Sequence, residues 1–334
     1  MSNLKIAVVG VGHLGKHHAR IYSQMPGVDL VGVVDMDQNR AEVVADRHDT
    51  RTFPSYHDLP QDLDAVSIAV PTIGHFELSS YFLKKGVSVL VEKPMTATLE
   101  EAEELDRIAS ATDDAWLQVG HIERFNPAMV AIRGLDIQPK FIESHRLAPY
   151  KFRATDVGVV MDLMIHDIDI VLDLCNSDPV RIDAVGGKIL SPSEDMANAR
   201  IEFASGCVAN ITASRVSFKS LRRTRVFSGE SFISLDYEKK YALLVKKSPD
   251  LDMSQIDVAN LDLTDSDALK KLFMNDLLQI QELRLDEFEP LKKELESFVE
   301  CVRGNKEPLV PSSHGLRAIR FANKVLESIE SHKW

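Results

Sequence analysis

Up to about residue 120, short apolar, β-branched runs alternate with segments whose apolar positions recur at helical spacing. Lys5–Val9, Leu30–Asp35, Ala65–Val70, Ser88–Glu92 and Trp116–Val119 read as strands. Leu14–Met25, Gln38–His48, Phe76–Lys85 and Leu99–Ala111 read as helices, with Gly86 where a helix C-terminal cap belongs. Strand and helix in strict alternation predict a parallel, doubly wound α/β sheet with crossover helices. Past Asn126 the pattern changes. One apolar helix, Val159–Cys175, precedes extended runs at Arg181–Leu190, Ala199–Phe203, Cys207–Val216 and Arg222–Val245, and helices follow at Pro290–Arg303 and Gly315–His332. Short turns such as Ala204-Ser205-Gly206 and Ser228-Gly229-Glu230 join consecutive strands, which predicts an antiparallel sheet and an α+β second domain. The expected division is 1–122 and 123–334. The Asp- and Ser-rich stretch Ser248–Asp276 reads as a long, exposed excursion from that sheet.

A chain of 334 residues exceeds what one core usually supports, in keeping with two domains. Its 39 Lys and Arg against 51 Asp and Glu leave a net charge of −12 with no dense basic run, which argues against duplex nucleic acid or an anionic membrane as main partner. The opening MSNLKIAVVG lacks a basic start and a long apolar stretch, so no signal peptide is expected; nor is a transmembrane helix. Three widely spaced cysteines, Cys175, Cys207 and Cys301, fit reduced thiols in a cytoplasmic protein.

Gly10, Gly12 and Gly15 form GxGxxG directly after the first strand and at the start of a helix. Glycines there permit a tight turn, close approach of a pyrophosphate and close helix–strand packing, and the helix N-terminus faces the phosphates. His13 and Leu14 complete this loop. Asp35 ends the second strand twenty positions after Gly15, where a carboxylate can accept from the ribose hydroxyls of a dinucleotide. That carboxylate repels a 2′-phosphate, and Asp37 adds to the repulsion, so NAD is favoured over NADP, although Arg40 is near enough to meet a phosphate. The rest of such a site lies at the ends of later strands, at Pro71, Thr72 and His75 after the third and at Glu92 and Lys93 after the fourth. The plainer reading of both is an ordinary strand-ending turn. His13, His17 and His18 near the glycine loop lack a carboxylate or cysteine at ligand spacing, so no metal is assigned.

GVGHLGKHHARIY, VEKPM after the fourth strand and MDLMIHDID beyond the first domain together resemble the glucose–fructose oxidoreductase, inositol dehydrogenase and rhizopine-catabolism (Gfo/Idh/MocA) family, in its order and spacing over nearly the whole chain. The resemblance implies a Rossmann domain followed by an open-faced antiparallel sheet, a nicotinamide cofactor, mostly sugar or polyol substrates, and homodimers or homotetramers. It implies that Lys93 lies near the nicotinamide and the reacting hydroxyl, and that Asp162 and His166 form an Asp-x-x-x-His pair whose histidine is the acid/base. The family's glycine run ahead of that pair is reduced here to Gly158-Val159-Val160. HIERFNPA (His121–Ala128, containing Arg124, Phe125 and Asn126) and TASRVS (Thr212–Ser217) are similar to a subgroup that oxidises the 3-hydroxyl of UDP-N-acetylhexosamines on the way to 3-amino variants of lipid A.

Read on their own, Asp162, His166, Asp169 and Asp173, with Asp167 beside them, make a polar stripe on an apolar helix. Positions 162 and 166 lie about 40° apart around a helix, within reach of each other or of one ligand. A carboxylate beside an imidazole raises its proton affinity, as an alcohol-oxidising base needs, whereas the plainer reading is a solvated helix face. Lys93 before a proline, where a cis bond is compatible with the sequence, could stabilise a developing alkoxide. For a diphosphate the candidates are Arg124, Arg146, Arg153, Lys219, Arg222 and Arg223, since guanidinium groups match phosphate oxygens. The expectation is a dehydrogenase in which His166 takes the proton, Asp162 orients His166 and Lys93 polarises the oxygen. Its rivals are the same chemistry on an inositol, free sugar or dihydrodiol, and a catalytically silent dinucleotide-sensing regulator such as the yeast galactose repressor.

Overall fold

The first apolar run folds as β1 (Leu4–Val9), with Ile6, Ala7 and Val8 fully enclosed. The structure, a computed structural model, describes residues 2–150, 157–248 and 277–332; Arg153 and positions 249–276 of the expected excursion lie outside the described residues. β2 (Val28–Val34), β3 (Thr52–Phe53), β4 (Ala65–Ile68), β5 (Ser88–Glu92) and β6 (Leu117–Gly120) join β1 in a six-stranded sheet of order β3-β2-β1-β4-β5-β6. Every neighbouring pair is parallel. The crossovers contain α1 (Gly15–Ser23), α2 (Gln38–His48), α3 (His75–Leu83) and α4 (Leu99–Ser110). α4 starts where its sequence dictates: the Thr98 hydroxyl accepts from Glu101 N (3.2 Å) while Glu101 Oε2 accepts from Thr98 N (3.3 Å), a capping box. The chain leaves β1 toward β2 and β3, then returns to place β4 on the other side of β1. At that switch point the strand ends open a crevice outside their carboxyl ends, where ligands of doubly wound sheets bind.

The chain forms two compact units, Met1–Phe125 with Val160–Asp169 and Phe288–Glu327, and Asn126–Val159 with Ile170–Glu287 and Ser328–Trp334. The first stretch of the first unit ends three residues past the expected division, and two later stretches return to it. The reason is α7 (Pro290–Gly304), whose Leu291, Leu295, Phe298 and Val299 recur at helical spacing and enter the same core as Ile6, Val8, Ala19 and Tyr22. Each such side chain contributes about 1.5–3 kcal/mol by leaving water.

The second unit is built on an eight-stranded sheet of order β14-β13-β12-β11-β7-β10-β9-β8. Its strands are β7 (Phe141–Leu147), β8 (Pro179–Gly187), β9 (Met196–Phe203), β10 (Val208–Ser214), β11 (Leu221–Phe227), β12 (Ser231–Asp236), β13 (Tyr241–Lys247) and β14 (Leu278–Glu282). The pairings are antiparallel except one: β7 and β10 run parallel, Phe141 beside Val208 through Leu147 beside Ser214. The sheet is therefore mixed rather than purely antiparallel. β7 escaped the sequence pattern because its inward positions are Ile142, Ser144 and Arg146, so the alternation is not one of apolar with polar residues. Elsewhere the alternation is plain. Ala197, Ala199, Ile201, Ala209, Ile211 and Ala213 are buried, while the intervening Asn198 and Thr212, and Arg200 and Asn210, hydrogen-bond across the more open face at 2.8 and 3.3 Å. α5 (Pro127–Ile132) belongs to this unit; α6 (Ile165–Cys175) and α8 (Ser312–Ser331) each run from the first unit into the second.

Candidate active site

The glycine loop is held open by its own geometry and by Asp35. Gly10 has φ of +85°, and a Cβ on Gly15 would stand 1.7 Å from the Gly10 carbonyl oxygen, so neither position tolerates a side chain. Asp35 Oδ2 accepts from Val11 N (2.8 Å) and Oδ1 from Asp37 N (2.9 Å), which pins the loop against the end of β2. Gly12 leaves backbone uncovered, and the flanking His13 and Leu14 are exposed. Met36 and Ile73, fully and 83% exposed, follow β2 and β4 on either side of β1 and offer apolar surface of the kind a planar base covers. A cradle emptied of side chains, a helix N-terminus and a carboxylate at ribose distance from it fit a nicotinamide dinucleotide.

At the later strand ends the polar groups turn inward. His75 Nδ1 and Nε2 meet the carbonyls of Pro94 (2.8 Å) and Val70 (2.9 Å), strapping together the two turns that carry Pro71–Thr72 and Lys93–Pro94. Glu92 Oε1 meets His18 Nε2 (3.1 Å), and His18 Nδ1 meets Ser67 Oγ (2.7 Å). Burial alone would raise the Glu92 pKa, but the bond to His18 and its charge outweigh burial and hold the carboxyl below its ordinary range. Both residues, expected at the cofactor, thus spend these atoms on holding the turns. Glu294 on α7 lies fully buried behind this group with neither carboxylate oxygen hydrogen-bonded; burial, reinforced by the Glu92 charge, pushes its pKa well up. A carboxyl with a raised native pKa leaves stability intact below its unfolded pKa and erodes it as pH climbs toward the native value. Glu294→Gln is accordingly expected to match the wild type near pH 4 and to gain about 1.4 kcal/mol per pH unit above that, up to the native pKa. Urea unfolding of both proteins from pH 4 to 8.5 measures this, and parallel pH curves would refute a neutral Glu294.

The stripe residues open α6. Val160–Met164 form a π-helical turn ahead of it, with i→i+5 bonding, a local distortion frequent at functional sites. On this wider turn the Asp162 carbonyl accepts from Lys93 Nζ (2.7 Å), and Asp162 Oδ1 lies 3.4 Å from the same ammonium. The Lys93–Pro94 bond is cis. Lys93, Asp162 and His166 therefore belong to one unit, with Asp162 tying the lysine to the turn that leads to the histidine. The imidazole of His121, from the end of β6, stands edge-on to His166 with ring centroids 6.5 Å apart. His121 is buried with neither ring nitrogen hydrogen-bonded, and burial lowers its pKa. His121 lies in the segment His121–Ala128, but residue spacing alone does not place it against a residue 45 positions away.

The plainer view of the stripe, a solvated face, suits only Asp173; Asp167 and Asp169 are buried. Arg124 Nε and Nη2 donate to Asp169 Oδ2 (2.6 Å) and Oδ1 (3.3 Å), and Nη2 lies 3.3 Å from His314 Nδ1. Of the residues expected at a substrate, Arg124 is thus engaged internally, Phe125 is buried, and Asn126 caps α5 through Ala128 N (3.1 Å) while donating to the Tyr237 carbonyl (3.2 Å). On β11, Arg222 shares the face of the buried Thr224 and Val226, opposite Arg146 of β7, whereas Arg223 points to the other face and pairs with Asp236 at 3.0 Å.

A parallel sheet with a dinucleotide cradle, and a lysine, an aspartate and a histidine gathered in the same unit, define a nicotinamide-dependent oxidoreductase. Residues 4–121 match the family model described as an oxidoreductase family with an NAD-binding Rossmann fold, and 138–231 match the Gfo/Idh/MocA C-terminal domain. A UDP-N-acetylglucosamine 3-dehydrogenase of Acidithiobacillus ferrooxidans is 40% identical over 238 residues, 71% of this chain and 75% of that one. The NAD(+)-dependent scyllo-inositol 2-dehydrogenase of Bacillus subtilis is 28% identical, covering 92% and 88%. Among solved structures, the UDP-N-acetylglucosamine 3-dehydrogenase of A. ferrooxidans superposes with a TM-score of 0.86 at 32% identity over 99% of both chains. Levoglucosan dehydrogenase in complex with NADH, 17% identical with a TM-score of 0.83, shares the fold. The chain belongs to the Gfo/Idh/MocA family and is an NAD-dependent oxidoreductase. Among the described residues no helix is long and apolar enough to cross a membrane.

Proposed function

We propose that the protein oxidises the 3-hydroxyl of a UDP-N-acetylhexosamine to a 3-keto sugar. The observation that carries this reading is the likeness to UDP-N-acetylglucosamine 3-dehydrogenase, 40% in sequence and essentially the whole chain in fold. NAD, when bound, supplies the acceptor for the hydride that leaves the carbinol carbon. The glycine loop and Asp35 would hold it, by backbone amides and a ribose-directed carboxylate. An imidazole nitrogen of His166 takes the proton from the substrate hydroxyl as the C–H bond breaks, and the carbonyl forms. Lys93 donates from Nζ to the same oxygen and offsets its developing negative charge, while Asp162 keeps that ammonium in place through the 2.7 Å bond to its carbonyl.

Arg222 and Arg146 are the candidates for the diphosphate. They lie directly across adjacent strands on one face, and guanidinium groups match phosphate oxygens bidentately. Arg223, on the opposite face and paired with Asp236, serves as the control. Arg222→Ala is expected to raise the KM for the UDP-sugar about 10-fold or more with a smaller change in kcat, and Arg223→Ala to leave KM within about 2-fold. UDP should compete with the sugar and not with NAD. Assays of NADH formation from UDP-N-acetylglucosamine, inositols, free sugars and a dihydrodiol settle the substrate class. Turnover of an inositol in preference to the UDP-sugar, with no inhibition by UDP, would replace this reading with that of a polyol dehydrogenase.

A further inference from the structure

Among the described residues three histidines, His18, His75 and His121, are 1% exposed or less. Two of them use both ring nitrogens: His18 meets Ser67 and Glu92, and His75 meets the carbonyls of Pro94 and Val70. His121 is the exception. Its backbone is paired, the N–H with the Val119 carbonyl (2.8 Å) and the carbonyl with Arg124 N (3.0 Å), yet neither nitrogen of its ring has a hydrogen-bond partner. A buried polar group left in this way costs stability that an apolar side chain of the same shape would not. Folds keep such departures at functional sites and offset them elsewhere.

The strand before it sets where His121 lies. Gly120 pairs with Glu92 across β6 and β5, and a Cβ on Gly120 would stand 3.1 Å from both Cα and Oε2 of Glu92, so the two strand ends pack directly together. Lys93 and His121 each follow one member of that pair. The ring of His121 then meets that of His166 with centroids 6.5 Å apart and planes at 86°, within the range in which aromatic rings attract one another. The charges that act on it come from three elements: Asp169 on α6, Arg124 in the turn after β6, and Glu92 and Lys93 at the end of β5. His314 on α8 stands behind Arg124, and Asp162 holds the lysine.

We propose that His121 is a positioning residue for His166: its edge-on packing fixes the plane of the His166 ring, and its ring nitrogens give a polar neighbour to the imidazolium that forms when His166 takes the substrate proton. This rests on His166 as the base of the reaction. The hydroxyl proton passes to an imidazole nitrogen of His166 and the hydride of the same carbinol to NAD, while His121 neither gains nor loses a proton. Away from bulk water, a fixed dipole beside the ring stabilises the new positive charge more than it would in water. The same nitrogens thus lower the stability of the fold and raise turnover, and one substitution separates the two effects.

His121→Phe keeps a ring for the edge-on contact and removes the nitrogens, His121→Asn keeps a polar atom, and His121→Ala loses both. Urea midpoints, NADH affinity, an NMR titration of labelled histidines with His166→Ala as the assignment control, and kinetics with UDP-N-acetylglucosamine are measured for each. His121→Phe should unfold at a urea concentration no lower than the wild type and bind NADH within about 2-fold, while kcat falls about 10-fold and KM stays within about 3-fold. In the titration His166 should bind its proton about 3- to 10-fold more weakly, and the acid limb of kcat/KM should move to lower pH by the same factor. His121→Asn should fall between Phe and wild type in both, and His121→Ala should be the least stable of the three. A His121→Phe protein with wild-type proton affinity at His166 would overturn the proposal, and so would one whose slower turnover is matched by a lower urea midpoint or weaker NADH binding. The titration and the urea midpoints need no sugar and so can be read whichever substrate the enzyme takes. Failure of the base itself is a different result: His166→Ala would then turn over normally, whatever His121→Phe does.

Discussion

Replacing His166 with alanine is expected to lower turnover about 100- to 10,000-fold, the usual contribution of a general base, while the NAD dissociation constant stays within about 2-fold. The separation follows from position. The dinucleotide cradle is made by the glycine loop and Asp35, whereas His166 opens α6 just past the π turn, against His121. Asp162→Asn should cost less than His166→Ala, since the backbone carbonyl that receives Lys93 Nζ at 2.7 Å is unchanged and only the side-chain contact at 3.4 Å loses its charge. Asp162→Asn and Lys93→Met combined should lose little more than Lys93→Met alone, because both act through one ammonium. Stopped-flow and steady-state NADH formation, with NADH affinity measured in parallel, give these numbers. A folded His166→Ala protein that binds NAD and turns over like the wild type would remove the histidine from the chemistry.

Asp169→Ala is expected to destabilise the protein by about 3–5 kcal/mol, the largest stability loss we anticipate from one substitution. Arg124 and Asp169 are 4% and 2% exposed and joined at 2.6 and 3.3 Å. Burial opposes the Asp169 charge, yet the nearby His121 and Arg124 outweigh it and hold the pKa below the ordinary carboxylate value. Deleting the carboxylate leaves a buried guanidinium without its carboxylate partner, which is far more costly than the pair is favourable. Replacing both partners, as in Arg124→Met with Asp169→Leu, should therefore recover most of the loss. Urea titrations of the three proteins without NAD measure this; equal destabilisation of the single and double variants would show that packing rather than the stranded charge is responsible. The depressed Asp169 pKa adds a sign: its contribution is present above the unfolded carboxylate pKa and lost as pH falls through the native value, so Asp169→Ala should matter least in strong acid.

The amino-acid sequence by itself determined the first unit's sheet, its dinucleotide loop and the carboxylate that faces it. β5 and α2 fall where periodicity places them, and GxGxxG with Asp35 needs only the local order strand, turn, helix, strand. What the tertiary structure decided are contacts between residues far apart in the chain. Lys93 and Asp162 are 69 positions apart, and their meeting depends on a π turn that no spacing rule encodes, since the helical pattern reads the same with or without the wider turn. The return of α7 to the first core, the parallel pairing of β7 with β10 and the opposite faces of Arg222 and Arg223 likewise come from packing and register. The physical reason is that periodicity reports which side of an element turns away from water, but not which other element covers it. The partner is selected by shape, charge and hydrogen-bond satisfaction summed over the whole fold, and so His121 and Glu294 acquired their meaning only once the chain had brought His166 and Glu92 beside them.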